Sequence, residues 1–435
     1  MTTDAARPRL AATIVVVRDA PGGLEVLLLR RAEKGDHNSG AWVFPGGLVD
    51  AADRDGQPFC TGLTDAQASA LLGVDSGGLD HVVAALRECF EEAGLLFATD
   101  AAGRPFDLQG EAGARLAAQR GRLNSGACSF ADLCRDFGLR LRADDIFYIG
   151  HWLTPLGRAK RFDTRFFLAV QPEGQASVHD AIETVEQVWL RPQQALSAEN
   201  TRRLMTPTRA MIEQLASFAD TPALLAWARS ARQVERVLPR LATGSAGPSP
   251  VLPDHPAWAE VGRLDPAGRS DTWYELRPGL PVALSPDVHR LTAPDASTNS
   301  YLVACAPDAW AVIDPGPCSE AHLEALIAAA PGPLRWICLT DDDVQQAQAA
   351  AALQARTGAQ LLGPQSQGAV APGGLLRGLP GPTAGTSNYL LASEGLLFTG
   401  AHALPASPQA THAFEWLAPR RGFLVHRPPA REATS

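Results

Sequence analysis

Three glutamates on one predicted helix are the clearest sign of chemistry in this 435-residue chain. Apolar residues from His81 to Ala93 recur at helical spacing, and Glu88, Glu91 and Glu92 stand at i, i+3 and i+4, so they share one face. Carboxylates this close repel one another, and a hard cation such as Mg²⁺ or Mn²⁺, which prefers oxygen ligands, would remove the repulsion. The pattern predicts a metal site, with a solvated acidic helix face as the alternative.

The residues on either side of the glutamates extend the pattern. Arg87 is placed to pair with one carboxylate and fix its rotamer, and Gly94 is placed to end the helix. The stretch Arg87–Leu95 matches REuxEExGu, the core of the Nudix box, so this part of the chain resembles the Nudix hydrolases. The full box begins GxxxxxE, and Gly47 with Asp53 keeps that spacing, with Asp in place of Glu.

The box is interrupted, because 33 residues separate Asp53 from Arg87. We interpret residues 54–80 as an inserted loop, since a longer loop costs little closure entropy. An inserted box resembles that of the peroxisomal and mitochondrial coenzyme A diphosphatases. Their motif LLTxR(S/A)xxxRxxxGxxxFPGG is matched in spacing from Leu27 to Gly47, with Leu29 in place of Thr and Asp36 in place of the second Arg. Three later segments look similar to the same branch: WLTP (152–155), RFDTRFFLA (161–169) and HDAIETVEQVWLRPQQAL (179–196).

The resemblance implies hydrolysis of a nucleoside diphosphate linked to another moiety, most closely a coenzyme A or acyl-coenzyme A substrate, by water attack on the pyrophosphate. Glu88, Glu91 and Glu92 would hold Mg²⁺ or Mn²⁺, and Arg87 would belong to the catalytic group. The candidates for the general base are Glu91, Glu183 and Glu186, among which the sequence does not choose. The candidates for substrate binding are Arg31, Gly46, Gly47 and Arg165. Arginine is the usual basic residue of this chain, because only Lys34 and Lys160 among the 38 basic residues are lysines. Arg31 and Arg165 are therefore equally compatible with being ordinary exposed arginines.

The second half of the chain resembles the metallo-β-lactamase fold without its ligands. The similar segments are His289–Pro294, Thr298–Val303, Val312–Gly316, Gly385–Asn388 and Leu396–Gly400. The family's zinc-binding HxHxDH motif corresponds to Asp341–Gln346. Both leading histidines of the motif are replaced by Asp, its aspartate by Gln345 and its last histidine by Gln346. This implies a lost zinc site, with His402 and His426 not acting as ligands, and an acidic helix N-cap at Asp341, Asp342 and Asp343.

The order of elements and the two resemblances predict the architecture. Residues 8–240 are expected to form an α+β Nudix fold, a mixed sheet sandwiched by helices, that includes an antiparallel pair of strands at Ala11–Val17 and Glu25–Arg30. Residues 241–275, rich in Pro, Gly and Ser, are expected to be a linker. Residues 276–435 are expected to form a partial, degenerate αββα metallo-β-lactamase-like domain, retained for packing or binding.

Composition narrows the partners. A net charge of −9 disfavours nucleic acid, and no apolar stretch approaches the roughly 18 residues that cross a membrane. Seven cysteines without a CxxC pair are typical of free thiols in a reducing compartment, so we expect a cytoplasmic protein. The expected partner is a small-molecule nucleoside diphosphate, and the sequence is compatible with a homodimer.

Three alternatives remain open on the sequence. The departures at Leu29 and Asp36 favour another Nudix substrate, such as a nucleotide sugar. A second alternative is a binding or regulatory protein in which neither half turns over a substrate. The third is residual zinc hydrolase activity in the second half.

Overall fold

The computed structural model describes residues 7–33, 39–230, 233–295, 298–306 and 308–400, and the backbone of 415–417. The chain divides into two compact units. The first unit comprises Met1–Thr154 and Arg158–Leu238, and the second unit comprises Pro155–Gly157 and Pro239–Ser435. Among the helices of the described residues, none has both the length and the apolarity that crossing a bilayer requires.

A mixed sheet organises the first unit. Its strands run in the order β10-β2-β1-β9-β8-β11, with β3 added to β2 and β4 added to β1. The bounds are β1 Arg9–Ala20, β2 Gly23–Arg31, β3 Trp42–Val43, β4 Gly46–Leu48, β8 Phe147–Leu153, β9 Phe162–Val170, β10 Thr184–Leu190 and β11 Arg236–Val237. Strands β1 and β2 form the predicted antiparallel pair, whereas β1 and β9 are parallel over their whole register. The prediction of a mixed sheet is therefore confirmed.

The helices of the first unit include α2 (Gly78–Ala93), which contains the helix predicted from His81 to Ala93. They are α1 Asp65–Leu72, α2 Gly78–Ala93, α3 Glu111–Asn124, α4 Phe130–Asp136, α5 Pro192–Leu196, α6 Thr206–Leu215 and α7 Thr221–Arg229, with 3₁₀ turns at Ala51–Phe59 and Ala143–Asp145. A small sheet joins β5 Cys60–Thr61, β6 Ala98–Thr99 and β7 Arg140–Arg142. The apolar face of α2, including Val82, Leu86 and Cys89, is buried in the same core as Ile14 and Val16 of β1. Burial of a valine or leucine side chain stabilises the fold by roughly 1.5–3 kcal/mol, so this packing fixes the position of α2.

The inserted segment 54–80 is not a simple loop, which corrects the interpretation from the sequence. It contains most of a 3₁₀ turn, β5 and α1, and α1 packs beside the start of α2. The Asp65 carboxylate accepts the N–H groups of Gly77 (3.1 Å) and Leu79 (2.9 Å), and Ser69 Oγ accepts that of Gly78 (3.0 Å). The first N–H groups of a helix have no partner within the helix. The insertion supplies those partners for α2.

The second unit contains two larger sheets. One has the order β14-β15-β16-β17-β18-β19 and the other β20-β21-β22-β23-β24. The bounds are β14 Pro281–Ser285, β15 Val288–Thr292, β16 Asn299–Ala306, β17 Ala309–Ile313, β18 Leu334–Cys338, β19 Gln360–Leu362, β20 Gly368–Ala369, β21 Leu376–Pro380, β22 Ser387–Leu391, β23 Leu396–Phe398 and β24 Glu415–Leu417. Tyr301 and Ile313 from the first sheet share a core with Tyr389 and Phe398 from the second. Helices α9 Glu320–Ala329 and α10 Val344–Thr357 share a separate core with the six-stranded sheet.

Part of the predicted linker 241–275 is ordered. Strands β12 Arg240–Gly244 and β13 Gly247–Val251 form a hairpin, and helix α8 spans Trp258–Leu264. Ala242, Val251, Ala257 and Val261 are buried together in a small core. The Pro- and Gly-rich composition that predicted a linker here marks turns between short elements, since such residues punctuate ordered structure as readily as they build flexible chain.

Candidate active site

The predicted carboxylate face is present on α2. Glu92 is buried at 4% exposure, and the side chains of Glu88 and Glu91 are 12% and 15% exposed. Gly94 ends the helix as predicted, in the left-handed region at φ +68°, and its N–H donates to the Phe90 carbonyl at 3.1 Å. The glutamates therefore lie at the last two turns of a helix whose end is fixed.

One guanidinium links most of the acidic groups. Arg87 Nη1 donates to Glu88 Oε1 at 2.8 Å and to Glu91 Oε2 at 3.1 Å, so the predicted pairing is formed twice. On its other side, Arg87 Nε donates to Asp53 Oδ1 at 2.7 Å and Nη2 to Asp53 Oδ2 at 3.1 Å. Nη2 also donates to the Leu48 carbonyl at 2.9 Å. Arg87 thus holds two of the three glutamates in fixed positions relative to the strand that carries Gly47.

Two glycines let the strand approach these carboxylates closely. The Gly46 N–H donates to Glu92 Oε2 at 3.0 Å. A Cβ atom at Gly47 would lie 2.3 Å from Glu88 Oε1, and one at Gly46 would lie 2.6 Å from the Ala12 carbonyl oxygen. Neither position has room for a side chain, so the geometry of the glutamates depends on both glycines.

Burial makes the ionised form of these glutamates costly. Removal from water raises the pKa of Glu91 to about 7, and the neighbouring Glu88 raises it while Arg87 lowers it. Burial likewise raises the pKa of Glu88, and the pKa of Glu92 lies well above its ordinary value, chiefly through burial and then through the Glu88 charge. A single guanidinium therefore does not offset the desolvation and repulsion of three carboxylates.

The donor set fits a hard divalent cation, because it offers carboxylate oxygens and excess negative charge in a buried place. Arg87 supplies a positive charge between Glu88 and Glu91. Across the part of the chain that the structure describes, no group of three or more His, Cys, Asp or Glu side chains is arranged to hold a metal ion. The assignment of Glu88, Glu91 and Glu92 as ligands remains a proposal.

The other predicted site residues of the first unit separate into two groups. The Glu183 charge raises the pKa of both Glu88 and Glu92, and the Arg31 charge lowers that of Glu92, so the fold brings these two residues toward the glutamates. Glu186 instead pairs with Arg30 at 3.4 Å on an exposed part of the β2–β10 edge.

Arg165 is not an exposed arginine. It lies on β9 at 4% exposure, and its side chain pairs with Asp163 and His151. The alternative of an exposed arginine is therefore wrong for Arg165, because a charged side chain is buried when partners satisfy it, and these partners come from two adjacent strands. Substrate binding by Arg165 remains an untested prediction.

Two further residues around the site were missed from the sequence. Asp180 accepts hydrogen bonds from Glu183 and Thr184, and Arg120 of α3 donates to the Glu91 carbonyl at 2.8 Å. An Asp that precedes a turn is a local signal for such bonds, and it is visible in the sequence around Asp180. For Arg120 no local signal exists, since its partner belongs to another helix.

In the second unit, the segment Asp341–Gln346, which was compared with the zinc-binding motif in the sequence, takes part in a hydrogen-bonded network. Asp343 caps α10, as predicted, by accepting the N–H groups of Gln345 (2.9 Å) and Gln346 (3.1 Å). Gln346 Oε1 accepts the buried Gly316 N–H at 2.9 Å, and Gln346 Nε2 donates to Thr298 Oγ1 at 3.5 Å. His402 and His426 lie outside the described residues. Loss of zinc remains a prediction.

Comparison with protein families matches two models within the first unit. Residues 7–111 match a model described as the NUDIX domain, and residues 76–211 match one described as the NUDT19 Nudix domain. The first match includes Gly47 and Asp53, and the second includes Glu88, Glu91 and Glu183.

Known proteins with similar sequences or structures were also found. The acyl-coenzyme A diphosphatase NUDT19 of Gallus gallus is 27% identical over 307 residues, which cover 58% of this chain and 80% of that protein. The structure of a NUDIX hydrolase from Alicyclobacillus acidocaldarius has a TM-score of 0.42 at 28% identity, covering 51% of this chain and 96% of that one. A metallo-β-lactamase of Cronobacter sakazakii has a TM-score of 0.28 at 16% identity, covering 33% of this chain and 79% of that one.

Proposed function

We propose that the first unit, which contains a Nudix pyrophosphohydrolase domain, cleaves the diphosphate of a coenzyme A or acyl-coenzyme A type substrate with Mg²⁺ or Mn²⁺. The observation that carries the proposal is the convergence of Glu88, Glu91 and Glu92 around Arg87, with Gly46 and Gly47 pressed against them. The named activity of the similar Gallus gallus protein, an acyl-coenzyme A diphosphatase, supports the substrate class.

The residues of the chain would divide the work as follows. Glu88, Glu91 and Glu92 would bind the cation, which when bound neutralises charge on the diphosphate and lowers the pKa of an attacking water. Arg87 keeps Glu88 and Glu91 from separating, because one nitrogen donates to both carboxylates. The Gly46 N–H fixes the Glu92 carboxylate in the same way. No three of these carboxylates are arranged to hold a metal ion in the described part of the chain, so binding would rearrange them from the positions that Arg87 and the Gly46 N–H hold.

Glu183 is our choice as the general base. It is exposed, so substrate and water can reach it, and its charge acts on Glu88 and Glu92. Its carboxylate would accept the proton of the attacking water. Glu91 is less suited because Arg87 donates to its carboxylate, and Glu186 is engaged by Arg30. Arg31, whose charge lowers the pKa of Glu92, would bind a phosphate oxygen of the substrate.

We further propose that the hydrolase domain spans residues 8–240, and that residues 276–435 form a degenerate metallo-β-lactamase-like domain without zinc, kept for packing or binding. The network around Gln346 supports this, since Gln346 stands where the resembled motif has its last histidine, and its amide is bound to Gly316 and Thr298. The free cysteines support a reducing, cytoplasmic location.

The experiment is a turnover assay of the purified chain with Mg²⁺ or Mn²⁺ on coenzyme A, an acyl-coenzyme A and a panel of nucleotide sugars. We expect coenzyme A compounds to be preferred, and Glu91→Gln and Glu92→Gln to lose about 100-fold or more of kcat. Glu213→Gln, on α6 in an exposed pair with Arg209, is the matched control and should keep wild-type turnover. Preference for a nucleotide sugar would contradict the proposed coenzyme A substrate class. Absence of turnover on every diphosphate would contradict the proposed hydrolase activity and favour a binding protein.

A further inference from the structure

The turn that precedes β10 is built on one carboxylate. Asp180 accepts the N–H of Glu183 at 3.0 Å and the N–H of Thr184 at 2.8 Å, and the Thr184 hydroxyl donates to Asp180 Oδ1 at 2.8 Å. Hydrogen bonds to an ionised acceptor are about twice as strong as neutral ones. They lower the pKa of Asp180 below its ordinary value, against the opposing effect of its partial burial. Asp180 therefore stays charged at neutral pH and holds the turn closed.

The same turn contains a residue in an unfavourable backbone conformation. Ala181 has φ +63°, a left-handed value that residues with a Cβ rarely adopt. Such a conformation is unfavourable and persists only where surrounding contacts impose it. The three hydrogen bonds to Asp180 close the chain on both sides of Ala181, so they are the contacts that impose it here.

This turn is tied to the glutamate helix from two directions. Thr184 is fully buried, pairs with Arg31 in the β2–β10 register, and has its Oγ1 3.4 Å from the Glu92 carbonyl oxygen. On the other side, Arg120 donates to the Glu91 carbonyl and its charge attracts Asp180. The turn that Asp180 closes therefore meets the end of α2 at Thr184.

We propose that Asp180 is a positioning residue, which fixes the 180–184 turn and thereby holds Glu183, the neighbour of Thr184, at the end of the glutamate helix. This role rests on the proposed function, because it places the candidate base for that reaction. Asp180 itself touches no reacting group. Loss of the Asp180 side chain would displace the base and leave the substrate-binding residues in place. We therefore expect kcat to fall and KM to stay nearly unchanged.

The test compares three variants of the full chain. Asp180→Ala removes the acceptor, Asp180→Asn keeps an oxygen acceptor without the charge, and Asp100→Ala is the matched control. Asp100 also accepts two backbone N–H groups in a turn of the first unit, those of Ala102 and Arg104 at 2.9 and 3.0 Å. The readouts are hydrogen exchange of the peptide covering 180–186 and steady-state kinetics on an acyl-coenzyme A with Mn²⁺.

For Asp180→Ala we expect faster exchange at the Glu183 and Thr184 amides, and kcat lowered about 10- to 100-fold with KM within about twofold. Asp180→Asn should keep most of the wild-type protection from hydrogen exchange and part of the wild-type kcat. Asp100→Ala should match the wild type in both exchange of the 180–186 peptide and kcat. Unchanged exchange, or wild-type kcat in Asp180→Ala, would overturn the positioning role. If the wild type turned over no diphosphate, the proposed function would fail, while hydrogen exchange would still report whether Asp180 fixes the turn.

Discussion

Asp53 and Arg87 form a two-point ion pair, with Nε to Oδ1 at 2.7 Å and Nη2 to Oδ2 at 3.1 Å, although 33 residues separate them in the sequence. Asp53 is 2% exposed, and the Asp50 N–H donates to its Oδ2 at 2.8 Å. The shorter aspartate thus makes the contact at the position where the Nudix box has a glutamate. Since Arg87 in turn engages Glu88 and Glu91, the geometry of the whole site depends on this pair.

Asp53→Ala tests that dependence. The substitution leaves the largely buried Arg87 guanidinium without its two-point partner, and breaking such a pair on one side costs roughly 3–5 kcal/mol. We expect the free energy of unfolding, measured by urea denaturation, to fall by an amount of that order, with diphosphatase activity lost as well. Glu213→Ala, which breaks an exposed pair, should cost less than about 1 kcal/mol. Equal, small losses in both variants would show that the Asp53–Arg87 pair does not support the site.

Gly47→Ala tests whether catalysis needs the close approach of Gly47 to the Glu88 carboxylate. The new methyl group would meet Glu88 Oε1 at 2.3 Å, so the carboxylate must move. We expect kcat to drop about 10- to 100-fold, because misplacing a catalytic group by about 1 Å has an effect of this size. The control is Gly121→Ala in α3, where a Cβ meets no atom within 4 Å and should stabilise the helix by up to about 1 kcal/mol. Wild-type kcat in Gly47→Ala would contradict the tight approach.

Asp65→Ala tests whether the insertion supports the glutamate helix. It removes the acceptor for the N–H groups of Gly77 and Leu79, and loss of such a cap costs roughly 0.5–2 kcal/mol. We expect a loss of that size in urea denaturation, with faster hydrogen exchange at the first turn of α2. Asp75→Ala, an exposed aspartate of the same insertion, is the control. If both variants behaved alike, the insertion would not be capping α2.

Gln346→Ala tests the network in the second unit. It removes the acceptor of the buried Gly316 N–H, and a buried donor left without a partner costs about 1–3 kcal/mol. The neighbouring Gln345→Ala, at an exposed position, should have little effect on unfolding. Metal analysis of the purified wild type should find far less than one zinc per chain. Stoichiometric zinc would contradict the proposed loss of the site.

The sequence was informative where function depends on local periodicity. Glu88, Glu91 and Glu92 share a face because of helical spacing alone, and the spacing between Gly47 and Asp53 was visible despite the insertion. The remaining features depend on contacts between segments far apart in the chain. Asp65 caps α2 only because α1 folds back onto it, and Glu183 approaches Glu88 only because β10 pairs with β2. The burial of Arg165 likewise required the register of β8 and β9, which periodicity does not give.

The raised pKa of Glu91 gives the stability of the metal-free chain a defined pH dependence. The folded carboxyl keeps its proton up to about pH 7, whereas in the unfolded chain it releases it near its ordinary pKa of about 4.5. Between these values the folded state binds more protons, so the free energy of unfolding falls as pH rises and levels off above about 7. The loss from this group is on the order of 3 kcal/mol at most.

A cation favours the ionised carboxylates, so saturating Mg²⁺ should stabilise the chain more at about pH 8 than at about pH 5. Urea denaturation across this range, with and without Mg²⁺, measures both effects. Glu91→Gln cannot ionise, so its metal-free stability should vary less with pH than that of the wild type, and its gain from Mg²⁺ should be smaller. A wild type whose stability rises between about pH 5 and 7 without metal would contradict the burial of Glu91, because an exposed or fully paired carboxylate would not lose stability in this window.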